Sequence, residues 1–157
     1  MGTGLTYEEF ELGALYDTQA RTVTEADVVT FAGLSGDYNP LHTDAEAAKN
    51  TPFGERIAHG MLTVAISTGM ANMTGLMAGT TIALMEQNIQ YKGAVKFGDT
   101  VRLQMEVIEK RETSKPDRGI VKLAARVLNQ RDELVVDMVW TQLMKRRGDN
   151  MSASSTP

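Results

Sequence analysis

The sequence predicts an α+β domain in which an antiparallel sheet curls around one buried helix, and three observations predict it. The run 60–78, GMLTVAISTGMANMTGLMA, carries no charged residue and is apolar on most sides, as a helix wrapped by other structure must be. Four segments rich in valine, leucine and aromatics follow it, at 82–95, 100–108, 119–130 and 133–144. Turn signals at Gly98-Asp99, Lys115-Pro116-Asp117 and Gln130-Arg131-Asp132 separate them into successive antiparallel strands. Finally, 157 residues with 42% hydrophobic content suffice for one core and are short for two. A single domain over residues 1–147 is therefore expected, with no internal repeat.

The other elements follow in order. Residues 24–34 read as a helix, because Thr24 can cap, Glu25 and Asp27 suit the positive end, and Val28, Phe31 and Leu34 share a face. Gly36 is a natural stop. Residues 37–55 carry Asn-Pro and Pro-Phe-Gly punctuation around DAEAAKN, which suits one or two helical turns inside a long ordered loop. The last residues, GDNMSASSTP, have little to bury, so a disordered tail is expected from Gly148. A sheet of this kind leaves an edge strand open unless it is covered, and pairing with a second copy would protect it, so a homodimer or higher homo-oligomer is expected.

Composition removes several classes of function. A formal net charge of −4 supplies no basic field for nucleic acid. Without cysteine there is no disulfide, thiolate nucleophile or cysteine metal site. The opening MGTGLTYEEFELG has neither the basic residues nor the apolar stretch of an export signal, and the run 60–78 is too polar at Thr63, Ser67, Thr68, Asn72 and Thr74 to span a membrane. The expected location is the cytoplasm.

The chain has two histidines, and one stands five residues after an aspartate in Ser35-Gly36-Asp37-Tyr38-Asn39-Pro40-Leu41-His42. Imidazole exchanges protons near neutrality, and a nearby carboxylate accepts a proton or orients the ring, so Asp37 and His42 form a candidate acid–base unit. Gly36 and Pro40 set the turn between them, and Asn39 can bridge backbone groups. On spacing alone, an Asp and a His in such a loop are more often a capped turn. The second feature is His59-Gly60-Met61 at the expected helix start, where unpaired N–H groups and partial positive charge collect. Gly60 would let a carbonyl approach that N–H closely, as an oxyanion hole requires.

The segment FAGLSGDYNPLHTDAEAA, the Pro-Phe-Gly loop and AHGML together closely resemble the hydratase motif of the MaoC-like, (R)-specific enoyl-CoA hydratases. The resemblance is strong over residues 22–76 and is one of pattern beyond. It implies a hotdog fold, a long central helix wrapped by an antiparallel sheet. It implies Asp37 and His42 as the catalytic pair and Gly60 as the oxyanion donor, with Asn39 in support. Thr68 occupies the place of a supporting helix serine. The implied reaction is reversible syn-hydration of a trans-2-enoyl-CoA to an (R)-3-hydroxyacyl-CoA, with coenzyme A part of the substrate and no separate cofactor. The same resemblance admits a dehydratase acting on carrier-protein thioesters. A hotdog thioesterase is disfavoured because 60–78 holds no carboxylate, and a non-catalytic thioester-binding subunit would have little need for Asp37, His42 and Gly60 together.

Other features are given structural roles. His59 is expected to make a structural hydrogen bond, and two histidines without cysteine argue against a metal centre. Met61, Met70, Met73, Met77 and Met85 read chiefly as core filling, with an adaptable acyl tunnel as the other use. Lys145, Arg146 and Arg147 read as a solvated cluster, and neither Lys92 nor Lys96 is assigned a contact with the coenzyme.

Overall fold

In a computed structural model describing residues 4–148, short pieces at the N-terminal side lead into one helix and four long strands. A turn of 3-10 helix at Tyr7–Glu9 precedes β1 (Leu15–Asp17) and β2 (Arg21–Thr22). Three helices follow, α1 (Glu25–Ser35), α2 (Pro40–Thr43) and α3 (Ala45–Ala48), and then α4 (Gly60–Met73). The long strands are β3 (Thr81–Tyr91), β4 (Thr100–Glu112), β5 (Arg118–Leu128) and β6 (Leu134–Lys145). They form an antiparallel sheet in the order β1-β4-β5-β6-β3, with β2 paired to β4. The tail expected from Gly148 lies, beyond that residue, outside the described residues.

Strand alternation builds the core. On β4, Val101, Leu103, Met105 and Val107 are buried in turn, as a strand with one face on a core requires. Registry carries these across the sheet in rows: Val107, Leu123, Trp140 and Gln87; then Met105, Ala125, Met138 and Ile89; then Leu103, Val127, Val136 and Tyr91. Leu62, Val64, Ile66, Met70 and Ala71 of α4 belong to the same buried cluster. Trp140, at 1% exposure, is the largest side chain in it. Burying an aromatic or aliphatic side chain of this kind contributes about 1.5–3 kcal/mol.

α1 starts and stops as the sequence dictates. Thr24 accepts the N–H of Asp27 while the Asp27 carboxylate takes the N–H of Thr24 at 2.9 Å, and Gly36 closes the helix at φ 75°. Such a cap contributes about 1 kcal/mol. The buried face differs from the expected one: Val28 and Ala32 are buried, Phe31 is partly so, and Leu34 is 83% exposed.

The central helix is shorter than the charge-free run. It ends at Met73 because the Thr74 hydroxyl and N–H both turn back to the carbonyl of Ala71, and Gly75 takes a left-handed φ of 73°. Residues 74–79 then double back, and the carbonyls of Leu76 and Ala78 accept the N–H groups of Leu5 and Gly4. β1 and β2, of three and two mostly exposed residues, carry too little pattern to be legible in the sequence.

The basic cluster after β6 is not simply solvated. Arg146 pairs with Glu8 at 2.7 Å and with Glu112, Arg147 pairs with Glu9, and the Lys145 ammonium donates to the carbonyl of Gly79. Burial alone would raise the pKa of Glu8, but the N–H of Arg147 and the Arg146 guanidinium hold it down to about 2, against an ordinary 4.5. The stabilisation from Glu8 is therefore complete above pH 4.5 and is lost as pH falls toward 2. The melting-temperature gap between the parent and Glu8→Gln should close across that window. A gap unchanged down to the lower end would remove Glu8 from the acid response.

Candidate active site

The loop after α1 places the acid–base candidates. Asp37 follows the left-handed Gly36, donates its N–H to the Ser35 hydroxyl, and accepts the Asn39 N–H on Oδ1 at 3.2 Å. The Asn39 side chain caps α2 by accepting the N–H of Leu41 at 3.0 Å, and Pro40 occupies the first turn, where it needs no partner. Asn39 thus shapes the turn that presents both Asp37 and His42.

One hydrogen bond defines the His42 ring. Its Nδ1 lies 2.7 Å from the carbonyl oxygen of Ile57, which can only accept, so Nδ1 carries the proton and Nε2 holds a bare lone pair in the neutral ring. The Ile57 carbonyl is itself fixed, since Ile57 N–H donates to Leu41 O and Ala58 N–H donates to Val95 O at 2.8 Å. Backbone hydrogen bonds from the loop before α4 to both α2 and the connection between β3 and β4 therefore set the histidine.

His59 sits directly beneath. It is 2% exposed, its ring stacks on that of His42 at 3.9 Å with 29° between planes, and Phe31 packs on it from another side. Its Nε2 donates to the backbone carbonyl of Asp37 at 2.9 Å, tying the Asp37 turn to the start of α4. Asp37, His42 and His59 bring ligand-type atoms within 4.8 Å of one another. One nitrogen of each ring is committed to a carbonyl, which leaves His42 Nε2 and His59 Nδ1 as the remaining ring nitrogens of the group.

α4 begins with nothing capping it. His59, its N-cap residue, makes no side-chain cap and no acid stands in the first turn, so the positive end of the helix faces the cavity. Tyr91, at the end of β3, lies flat on Gly60: a Cβ there would meet Tyr91 Cε1 at 2.5 Å. Gly60 is thus required by packing as well as suited to close approach of a ligand. Asp37, His42, His59, Gly60, Thr63 and Tyr91 surround a cavity of about 530 Å³, with Met61, Lys92 and Val136 also on its wall.

Thr68 lies outside this group. It is exposed, its hydroxyl donates to the carbonyl of Ala65, and it does not line the cavity. Of the five methionines, Met61 alone lines it. Met70 is core, Met73 and Met85 are 79% and 56% exposed, and Met77 is packed against the core. Lys92 stands on the wall, whereas Lys96 is paired with Glu55 at 2.6 Å. Sequence reasoning did not find Tyr91 or Thr63. Thr63 carried a signal, three residues beyond Gly60 on the same helix face; Tyr91 carried none, since only strand register brings it here.

An antiparallel sheet wrapped around a long helix is the hotdog fold. A conserved hypothetical protein of Mycobacterium tuberculosis described as having a double hotdog fold shares it, at a TM-score of 0.80 and 20% identity over 93% of this chain and 46% of that one. Residues 9–127 match the MaoC-like domain, and the chain belongs to the MaoC-like family. A 3-hydroxybutyryl-CoA dehydratase of Methylorubrum extorquens is 32% identical over 133 residues, 85% of this chain and 80% of that protein. An (R)-specific enoyl-CoA hydratase of Aeromonas caviae is 35% identical over 111 residues, 71% of this chain and 78% of that protein. The crystal structure of a MaoC-like dehydratase from Rhodospirillum rubrum superposes with a TM-score of 0.85 at 29% identity, covering 92% of this chain and 99% of the other. Among the described residues no helix is long and apolar enough to cross a membrane.

The two carbonyl contacts predict opposite tautomers, Nδ1–H for His42 and Nε2–H for His59. With only two histidines, long-range ¹H–¹⁵N correlation spectra of the neutral rings can read both. An Nε2–H tautomer at His42 would contradict the arrangement.

Proposed function

We propose that this protein is a hydro-lyase that interconverts a trans-2-enoyl-CoA and an (R)-3-hydroxyacyl-CoA. The observation that carries the reading is the bare Nε2 of His42, held by the Ile57 carbonyl, sharing one cavity with the Asp37 carboxylate and the uncapped start of α4. In hydration, Asp37 and His42 hold one water between them. The water oxygen bonds to C3 as its proton is taken up by the dyad, and a proton is delivered to C2 on the same face. One water is consumed, and the dyad ends as it began. Negative charge that develops on the thioester oxygen meets the Gly60 N–H and the helix end, and a donor of that kind is worth about 3–4 kcal/mol. Dehydration is the same path reversed.

The hydratase and dehydratase names of the relatives support this class of reaction. The absence of any carboxylate from α4 argues against thioester cleavage by a helix-borne acid. Asp37→Asn and His42→Ala should each lower hydration of crotonyl-CoA by at least about 100-fold, with melting temperature held. The enoyl-thioester absorbance reads the reaction, and a thiol reagent run alongside reads cleavage. Near-parental hydration in either variant, or stoichiometric release of coenzyme A by the parent, would overturn the assignment.

The assembly proposed is a homodimer joined along β3. That strand is one edge of the sheet, all but two of its eleven residues are exposed, and Ile82, Leu84 and Met85 present apolar side chains at 38–56% exposure. Light scattering at micromolar concentration should give twice the 17.1 kDa chain mass. A monomeric mass there would remove the proposal.

A further inference from the structure

α4 and the residue after it carry four side-chain hydroxyls, and three of them are spent within the helix. Ser67 donates to the carbonyl of Val64 at 2.6 Å, Thr68 to that of Ala65 at 2.7 Å, and Thr74 to that of Ala71 at 2.7 Å. Such bonding to a carbonyl one turn back is what a buried helical hydroxyl ordinarily does. Thr63 does not do it. Its residue is 1% exposed, its Oγ1 is buried, and among the described residues that oxygen has no hydrogen-bond partner. A buried polar atom left in this state is destabilising, so a hydroxyl kept there calls for a use outside the fold.

Its surroundings indicate the use. Thr63 lines the cavity three residues beyond Gly60, one turn in from the end of α4 where the Gly60 N–H is uncapped. The other polar atoms of that wall are committed or have the wrong polarity. His59 Nδ1 is also buried without a partner, but because Nε2 donates to the Asp37 carbonyl, Nδ1 is unprotonated in the neutral ring and can only accept. The Tyr91 hydroxyl lies 3.2 Å from the Met61 sulfur and donates to it. Thr63 is thus the uncommitted neutral side-chain donor beside Gly60.

Resting on the hydro-lyase reading, we propose that Thr63 is a further catalytic residue, whose hydroxyl donates to the thioester oxygen beside the Gly60 N–H. The contact tightens as charge builds on that oxygen during addition of water at C3 or its loss from C3. No bond is made or broken at Thr63; it holds its own proton throughout.

The test compares Thr63→Val with Thr63→Ser on crotonyl-CoA. Thr63→Val should lose about 100-fold in kcat with KM for the enoyl thioester little changed, the pattern of an interaction made chiefly in the transition state. Its melting temperature should equal or exceed that of the parent, because a partnerless hydroxyl has been removed. Thr63→Ser keeps the donor and should stay near the parental kcat, which a purely packing role for the methyl would not produce. A parental kcat in Thr63→Val, or an equal loss in both variants, overturns the proposal. Asp37→Asn measured in the same assay separates the two levels. If it is inactive while Thr63→Val is fully active, only the role of Thr63 fails; if both are fully active, the hydro-lyase reading fails with it.

Discussion

The bond from the His42 ring to the Ile57 carbonyl is the interaction on which the rest of the site depends. At 2.7 Å it joins two stretches of chain that otherwise have separate reasons to exist, the capped turn of α2 and the extended residues leading into α4. It chooses the tautomer, and the tautomer decides which nitrogen faces the cavity. The carbonyl does not move independently, because the neighbouring Ala58 N–H is bonded to Val95 on the strand side. The connection between β3 and β4 therefore reaches the candidate pair through main-chain groups, whose geometry side-chain substitution disturbs little.

The stack of His59 on His42 adds a second tie from beneath. His59 bonds the backbone of Asp37 while its ring supports that of His42, so one buried side chain holds both members of the pair. Substituting it would disturb both at once, which a reading of the motif as two separate residues does not reveal. The cost is a buried Nδ1 without a partner, and Thr63 bears a similar cost four residues later. Of the buried polar atoms without a partner among the described residues, these two are the ones whose residues line the cavity.

Much of this was legible in the sequence where local chemistry decides the outcome. Thr24 and Gly36 bound α1 because caps and left-handed turns depend on the residues present. The strands of β4, β5 and β6 follow from alternation and turn residues. The candidate pair and Gly60 were legible because a motif compresses them into a short stretch. What was not legible depends on distance in the chain. The end of α4 at Met73 rests on Gly75 and on two hydrogen bonds from residues 4 and 5, and nothing in an apolar run announces where it stops. The resemblance puts Thr68 in the place of a supporting helix serine, whereas the helix turns it away from the cavity and Thr63 toward it. Tyr91 arrives through register with Val136, and the ion pairs of Arg146 with Glu8 and of Arg147 with Glu9 link residues more than 130 positions apart.

Those ion pairs make the described chain close to a ring. Glu8 and Glu9, in its first turn, meet Arg146 and Arg147, which follow its last strand, so the path from one end to the other is bridged without a covalent bond. A linker of few residues joining those ends, with a new opening cut in an exposed turn such as 113–117, would preserve every strand pairing of the sheet. In topological terms the order of the strands in the sheet does not depend on which exposed turn is left open.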